Sequence, residues 1–316
     1  MSVSLETIRV RPAESRERWS RWSISIASAV ALAGFAWPLV ATALPRDAQA
    51  TAPVVALALV PAIVIAIALG LDRQMYTATT VALLGVLAAV GAAIRIAGTG
   101  VGGVEAVFIV LILAGRAYGA RFGFLLGMLT IALSSVLWGG IGPWTPFQIF
   151  ACGWVAAGAG LLPRIRARSP RSARWREIAL LVAYGVVSSY AFGLLMNFWF
   201  WPFAVGAGTG ISYVAGAPIG ENLASFGLYS LLTSTLSWDT VRAITTTIGI
   251  VLAGPAALAA LRRAKVGRSS SAIITPKTTI TPRSTGLPGD GTQTHQSTVQ
   301  DAAAAPPTVR HPSAPA

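Results

Sequence analysis

Residues 104–162 read VEAVFIVLILAGRAYGARFGFLLGMLTIALSSVLWGGIGPWTPFQIFACGWVAAGAGLL. Only Glu105, Arg116 and Arg121 carry charge in this stretch. Two short breaks divide it: a glycine- and arginine-bearing segment, Gly115–Arg121, and a glycine- and proline-bearing one, Trp138–Pro146. Three apolar runs remain, at about 104–118, 122–138 and 146–162. A bilayer core about 30 Å thick takes roughly 20 apolar residues as a helix, with a range of about 17–25. The first run is short for that, and the other two are just long enough.

Five further runs extend the pattern outward, at about 24–44, 53–71, 75–94, 177–198 and 239–261. The first is too long for a signal peptide, and WPLVATALP is a poor cleavage site, so it reads as a retained span. Composition agrees over the 316 residues: 54% are hydrophobic, 11% charged, and the mean hydropathy is +0.66. A soluble domain is about 25% charged. So few charges cannot cover a surface facing water. The expected class is an all-α integral membrane protein with about eight transmembrane helices.

Lysine and arginine mark the inner loops. With both termini in the cytoplasm, 21 of the 24 basic residues fall inside, and only Arg46, Arg95 and Arg242 fall outside. That bias supports the orientation and the even number of spans. It also accounts for the net charge of +13 without nucleic acid. The expected location is the cell membrane, multi-pass.

Several chemistries lack their residues. Cys152 is the one cysteine, which excludes an intrachain disulfide. His295 and His311, the two histidines, both lie in the polar tail. Imidazole triads, HExxH zinc sites and histidine relays are thereby absent from the apolar part. No GxxxxGK[ST] occurs, so no P-loop binds ATP here. The eleven acids are scattered singly, and no DDxxD occurs. No catalytic residue and no metal ligand is assigned.

The chain divides into a basic N-terminus, 1–23; a two-helix extension, 24–72; a six-helix membrane domain, 73–265; and a tail, 266–316. From Lys265 onward, Ser, Thr, Pro, Ala and Gly supply 33 of 52 residues. Such composition predicts disorder.

Three outer segments collect the unusual side chains: Arg95 to Glu105, Trp138 to Gln148, and a long one from about Trp199 to Trp238. Trp138, Trp144, Trp199, Trp201 and Trp238 fit either an interfacial aromatic belt or a ligand pocket. Trp144 leans to the pocket, because Gly142, Pro143 and Pro146 fix the loop that presents it. Gln148 and Asn197, amides near the outer ends of spans, should face the bundle interior. There they serve either an interhelical hydrogen bond or a ligand. Among the charges, Glu105 and Arg95 flank one loop and are placed to pair. Asp239 and Arg242 share a face at the start of the last span, where an aspartate also suits the helix dipole. Nothing in the pattern places these charges at mid-membrane, which counts against an ion-coupled carrier. In the third span, Ala78 and Ala82 form AxxxA, and Gly85, Ala89 and Ala93 continue the spacing on what reads as another face. Small residues allow close helix approach in lipid.

From about Arg73 to Lys265 this layout resembles the substrate-binding S component of energy-coupling factor (ECF) transporters, importers of vitamins and micronutrients. The resemblance rests on the AxxxA helix, on 104–139 as two apolar runs about a glycine-rich inner turn, on Gly142-Pro143-Trp144-Thr145-Pro146 with Gln148, and on a basic inner loop before two helices joined by a long outer loop. The GPWTPxQ run is the most specific of these. The resemblance implies a six-helix bundle, to which the first two spans are an extension. It implies a ligand bound under the three outer segments. Candidate contacts there are Arg95 and Glu105; Trp138, Trp144 and Gln148; and Asn197, Trp199, Tyr213, Glu221 and Asn222. It implies that Ala78 and Ala82 dock on a transmembrane coupling subunit (the T component), and that two separate ATPase subunits use the ATP. The chain itself would hold no cofactor and would not be an enzyme. A flat, hydrogen-bonding, vitamin-like ligand fits the aromatic and amide residues, with cobalamin the first candidate by analogy and loop length. A stand-alone secondary carrier and a lipid-processing membrane enzyme are the alternatives.

Overall fold

The computed structural model of the chain describes residues 25–41, 78–98, 104–165, 169–205 and 208–271. The expected span 53–71, the basic N-terminus and most of the tail lie outside these residues. The described residues are helical, with no strand among them. In chain order the helices are α1 (Ser25–Phe35), α2 (Trp37–Ala41), α3 (Ala78–Ala97), α4 (Val107–Tyr118), α5 (Ala120–Trp138), α6 (Thr145–Leu161), α7 (Pro170–Ala204), α8 (Ile219–Ser230) and α9 (Thr240–Ser271). A π-helical stretch, Leu231–Asp239, joins α8 to α9 without a break.

Four stretches are long and apolar enough to cross a membrane: Ala78–Ala97, Ala120–Trp138, Pro170–Pro202 and Ile219–Ala264. Large aliphatic side chains such as Val136, Leu137, Val187 and Leu252 stand on the outside, each at least 65% exposed. In water they would form aggregation-prone patches, whereas in a bilayer they meet lipid. The chain is a helical membrane-embedded protein.

The shortest of the expected spans becomes the centre of the fold. α4 has 12 residues, and eight of them are buried. At 1.5 Å per residue it is about 18 Å long, well under a bilayer core. A helix apolar on every side belongs inside a bundle. α4 packs against α5 and α6 on one side and against α7 and α9 on the other. α3 packs mainly on α5, through Leu84, Ala88, Gly91 and Ala92. α1 lies against α6 by Phe35 on Phe147, with ring centroids 4.8 Å apart, and by the Trp154 indole donating to Ser28 Oγ at 3.0 Å.

Missing side chains set the closest seam. At Gly115 on α4 a methyl would strike the Ala156 carbonyl of α6, and at Gly127 on α5 it would strike the Cys152 carbonyl. Small residues let backbones touch where apolar lipid gives helices no other reason to associate. Gly119 alone separates α4 from α5, at φ +97°, a conformation few other residues adopt.

The third outer segment departs from expectation. It is not a 40-residue loop. α7 runs on through Trp199 and Trp201 to Ala204, and helix resumes at Ile219. The intervening turns are short because their apolar residues have somewhere to pack. Trp201, Phe226 and Tyr229 form a second small core with Phe198, Ile211 and Tyr213. Asp239 consequently ends a π turn inside a continuous helix, with no free helix N-terminus beside it. The dipole reading of that aspartate fails, because the preceding turns already satisfy the backbone N–H groups.

The small-residue face of α3 is also corrected. At about 100° per residue, Ala78, Ala82, Gly85, Ala89 and Ala93 fall on one face, and all five are exposed.

A valine at Gly127 should lower the unfolding free energy in detergent by about 1–3 kcal/mol or more through overpacking. Gly85→Val, with open space around its Cα, should change it by less than about 0.5 kcal/mol. Denaturant titration followed by tryptophan fluorescence would compare them, and equal loss in both would dismiss the seam.

Candidate functional site

At the end of the bundle away from the α4–α5 turn, two polar clusters lie in an apolar frame. The first joins α3, α5 and α6. Arg95, in the last turn of α3, donates from Nη1 to Ser134 Oγ at 2.9 Å and from Nη2 to Gln148 Oε1 at 3.0 Å. Ser134 is fully buried, and its hydroxyl donates to the Ile131 carbonyl at 3.0 Å. The amide of Gln148 thus faces the interior, brought there by the first turn of α6.

The loop before α6 is built to hold that turn. The Gly142 N–H donates to Thr145 Oγ1, and the Thr145 N–H donates to the Gly142 carbonyl, each at 2.9 Å. The Trp144 indole folds back over Gly142, where any side chain would collide with it. Trp144 is half-exposed, and Trp138 and Trp238 are more so. Trp199 and Trp201, by contrast, are buried, at 3% and 1% exposure, and cannot serve an interfacial belt. Trp199 stacks on Phe147 at 4.3 Å with the rings 9° apart, and its carbonyl accepts from Trp37 Nε1 at 2.9 Å. Its own indole N–H has no hydrogen-bond partner among the described residues.

The second cluster centres on Arg242. Its Nε donates to Glu105 Oε2 and its Nη1 to Asp239 Oδ1, both at 2.6 Å. Nη1 also donates to the Ser189 carbonyl of α7 at 3.1 Å, and Ser234 Oγ donates to Asp239 Oδ2 at 3.0 Å. The guanidinium carbon lies 4.8 Å from the Phe192 ring centre and 5.6 Å from that of Phe108. Arg242 and Asp239 therefore pair as their spacing predicts. Glu105 does not follow expectation: its carboxylate goes to Arg242, 137 positions away, while the Arg95 guanidinium turns to Ser134 and Gln148. The reason is topological, since Glu105 sits at the mouth of α4, which packs against α9, whereas α3 packs against α5. Cys152 is buried on α6.

The remaining candidates lie in the cap made by α8 and the loop before it, or, like Asn197 on α7, against it. Asn222 clamps that loop, accepting from the Val214 N–H at 3.0 Å and donating to the Val214 carbonyl at 2.8 Å. Tyr213 stands edge-on to Trp201, its hydroxyl 3.3 Å from the Pro38 carbonyl, and burial pushes its phenol above the ordinary value. Asn197 Nδ2 donates to Ser230 Oγ at 3.0 Å, an interhelical bond of the kind its position suggested. Glu221, in the first turn of α8, is exposed. Arg95 and Gln148 are brought into contact; Trp138 and Glu221 stand apart on the surface; Tyr213, Asn197 and Asn222 hold the cap. Ala78 and Ala82 are on the exposed face of α3.

Sequence reasoning missed Ser134, Ser189 and the ring pair Phe108–Phe192. It also missed a third cluster at the opposite end: Arg116 Nε donates to Glu177 Oε1 at 2.8 Å, and Arg262 forks onto both oxygens of Glu177 at 2.6 and 3.0 Å. A signal existed there, because Glu177 is the one acid among the basic residues opening α7.

No protein-family model, no curated protein and no solved structure matches the chain.

Asp239→Ala leaves a buried guanidinium short of one partner and should cost about 3–5 kcal/mol. Combining it with Arg242→Met should recover part of that loss. Glu105→Gln should cost less than Asp239→Ala, since the Glu105 side chain is 38% exposed against 1%. Unfolding midpoints in one detergent would rank the three; a harmless Asp239→Ala would mean that the pair is not desolvated.

Proposed function

We propose that the chain is the substrate-capture subunit of an ATP-driven importer of the energy-coupling factor type, binding a vitamin-like ligand at its outer end. The observation that carries this reading is the Arg95–Ser134–Gln148 contact. It joins two of the three outer segments through a guanidinium, a hydroxyl and an amide; one residue back along α6, Phe147 stacks on Trp199, whose indole N–H has no partner among the described residues. These polar groups and the stacked rings suit a flat compound with hydrogen-bonding edges. The cap of α8 and its loop, held by Asn222 and Tyr213, stands in the role of a cover. The exposed small-residue face of α3 is the surface offered to the coupling subunit. ATP is used by the partner subunits, and the chain alone binds without turnover. Cobalamin is the first ligand to test.

One observation favours a second reading, a stand-alone secondary carrier. Glu105, Arg242 and Asp239 form an ionic cluster between helices, with Arg242 and Asp239 buried and Glu105 partly exposed, the kind of feature that marks ion pathways in membranes.

Gentle purification from the native host, followed by mass spectrometry, separates the two. The importer reading expects a membrane coupling subunit and two ATPase chains with the protein. Concentrative uptake by the chain alone in vesicles under an imposed proton or sodium gradient would replace it by the carrier. Given a bound ligand, Arg95→Ala and Gln148→Ala should each weaken its retention by about tenfold, the scale of one buried polar contact to a charged group. Trp138→Ala, on the surface, should not. Ala82→Leu should abolish uptake while sparing binding; uptake that survives it would remove α3 from the docking surface.

A further inference from the structure

The inner end of the bundle holds a cavity of about 1070 Å³ that the transport reading leaves unused. The α4–α5 turn, the end of α6, the start of α7 and the Pro255–Arg262 stretch of α9 border it. Arg116, Arg164, Arg174 and Arg262 line it, against a single acid, Glu177. The lining thus carries an excess of three positive charges.

These four arginines are not equivalent. Arg116 is held in the fold: besides Glu177, it donates to the Leu162 carbonyl at 2.6 Å and to the Pro163 carbonyl at 3.0 Å. Arg262 shares the same carboxylate. Arg164 and Arg174 are exposed and form no ion pair with a described residue. Two guanidiniums therefore remain for an outside anion. Their planar forks match a phosphate better than a halide or a single carbonyl does.

The surroundings indicate where that phosphate sits. Trp175, next to Arg174, is 48% exposed, and Leu161 at the cavity rim is 76% exposed. An exposed indole and an exposed aliphatic side chain at the same end of the bundle suit the level of lipid headgroups. The cavity wall formed by Pro255, Leu258 and Ala259 is apolar and suits the glycerol and upper acyl carbons of a lipid. By the distribution of arginines this end is cytoplasmic, the side on which basic pockets between helices take anionic headgroups.

We propose that this cavity is a binding site for a phosphate group, presented by the headgroup of an anionic phospholipid, with Arg164 and Arg174 as its principal ligands. The site is independent of what the outer end binds.

The test uses the full chain in nanodiscs of phosphatidylcholine, with the thermal unfolding midpoint as readout. One arm adds phosphatidylglycerol to the bilayer, and another adds inorganic phosphate to the buffer. The expected result is saturable stabilisation by phosphatidylglycerol, with Arg164→Gln plus Arg174→Gln shifting the half-saturating lipid fraction upward by roughly ten- to thirtyfold. Arg171→Gln, an exposed arginine outside the cavity, should leave it unchanged. Equal stabilisation by inorganic phosphate, lost in the same double variant, would keep the site and assign it a soluble ligand. Stabilisation by neither addition overturns the proposal. So does a response that survives the double variant, or one that Arg171→Gln weakens equally, since both describe bulk attraction to a charged bilayer.

Discussion

One guanidinium, that of Arg242, ties together segments that are far apart in the chain. Through Glu105 it reaches the mouth of α4, through the Ser189 carbonyl the middle of α7, and through Asp239 the end of the π turn. In a bilayer this matters more than in water. Lipid tails are as apolar as leucine, so apolar contact alone says little about which helix faces which. A buried charge is costly in every arrangement except the one that pairs it. The register of α9 against α4 and α7 follows from that requirement.

The same three helices meet again at the other end. Arg116 of α4 and Arg262 of α9 share Glu177 of α7. α4 is therefore held between two ionic clusters, one at each of its ends. Between them the contacts are apolar and close. Glycines on α9 receive α4 side chains: Ile109 lies against Gly249, and Leu113 is near Gly254. Gly185 of α7 faces Thr246, Ile250 and Ile112. Charge fixes the two ends, and the absence of side chains permits the contact between them. On its other side α4 relies on the carbonyl contact at Gly115, reinforced along α5 by that at Gly127.

Much of this was legible in the sequence, and the rest failed for stated reasons. Helix positions follow from apolar length, and α3, α5 and α6 fall close to their expected bounds. The pairing of Asp239 with Arg242 follows from helical spacing. The inward turn of Gln148 follows from the cost of an unpaired amide in lipid, though its partner Arg95 does not. Pairing across the bundle was beyond reach. Glu105 lies ten positions from Arg95 and 137 from Arg242, and only the packing of α4 between α6 and α9 brings the distant arginine nearer. The cap was misread because glycines and serines between 205 and 238 suggest a loop. A few aromatic anchors, Trp201, Phe226 and Tyr229, give that segment enough apolar contact to stay helical.

The π stretch from Leu231 to Asp239 sets the angular phase of the cap. Hydrogen bonds from i to i+5 take up more residues per turn than those of an α-helix. Along a continuous helix from Ile219 to Ser271, the π stretch changes which way everything above it points. Below it, Asp239 and Arg242 face the ionic cluster; above it, Phe226 and Tyr229 face Trp201. In an unbroken α-helix each residue advances the face by about 100°. Losing one residue from this stretch would turn α8 by about that angle relative to α9. The cap is thus geared to the bundle, and its orientation is counted in residues rather than set by a hinge.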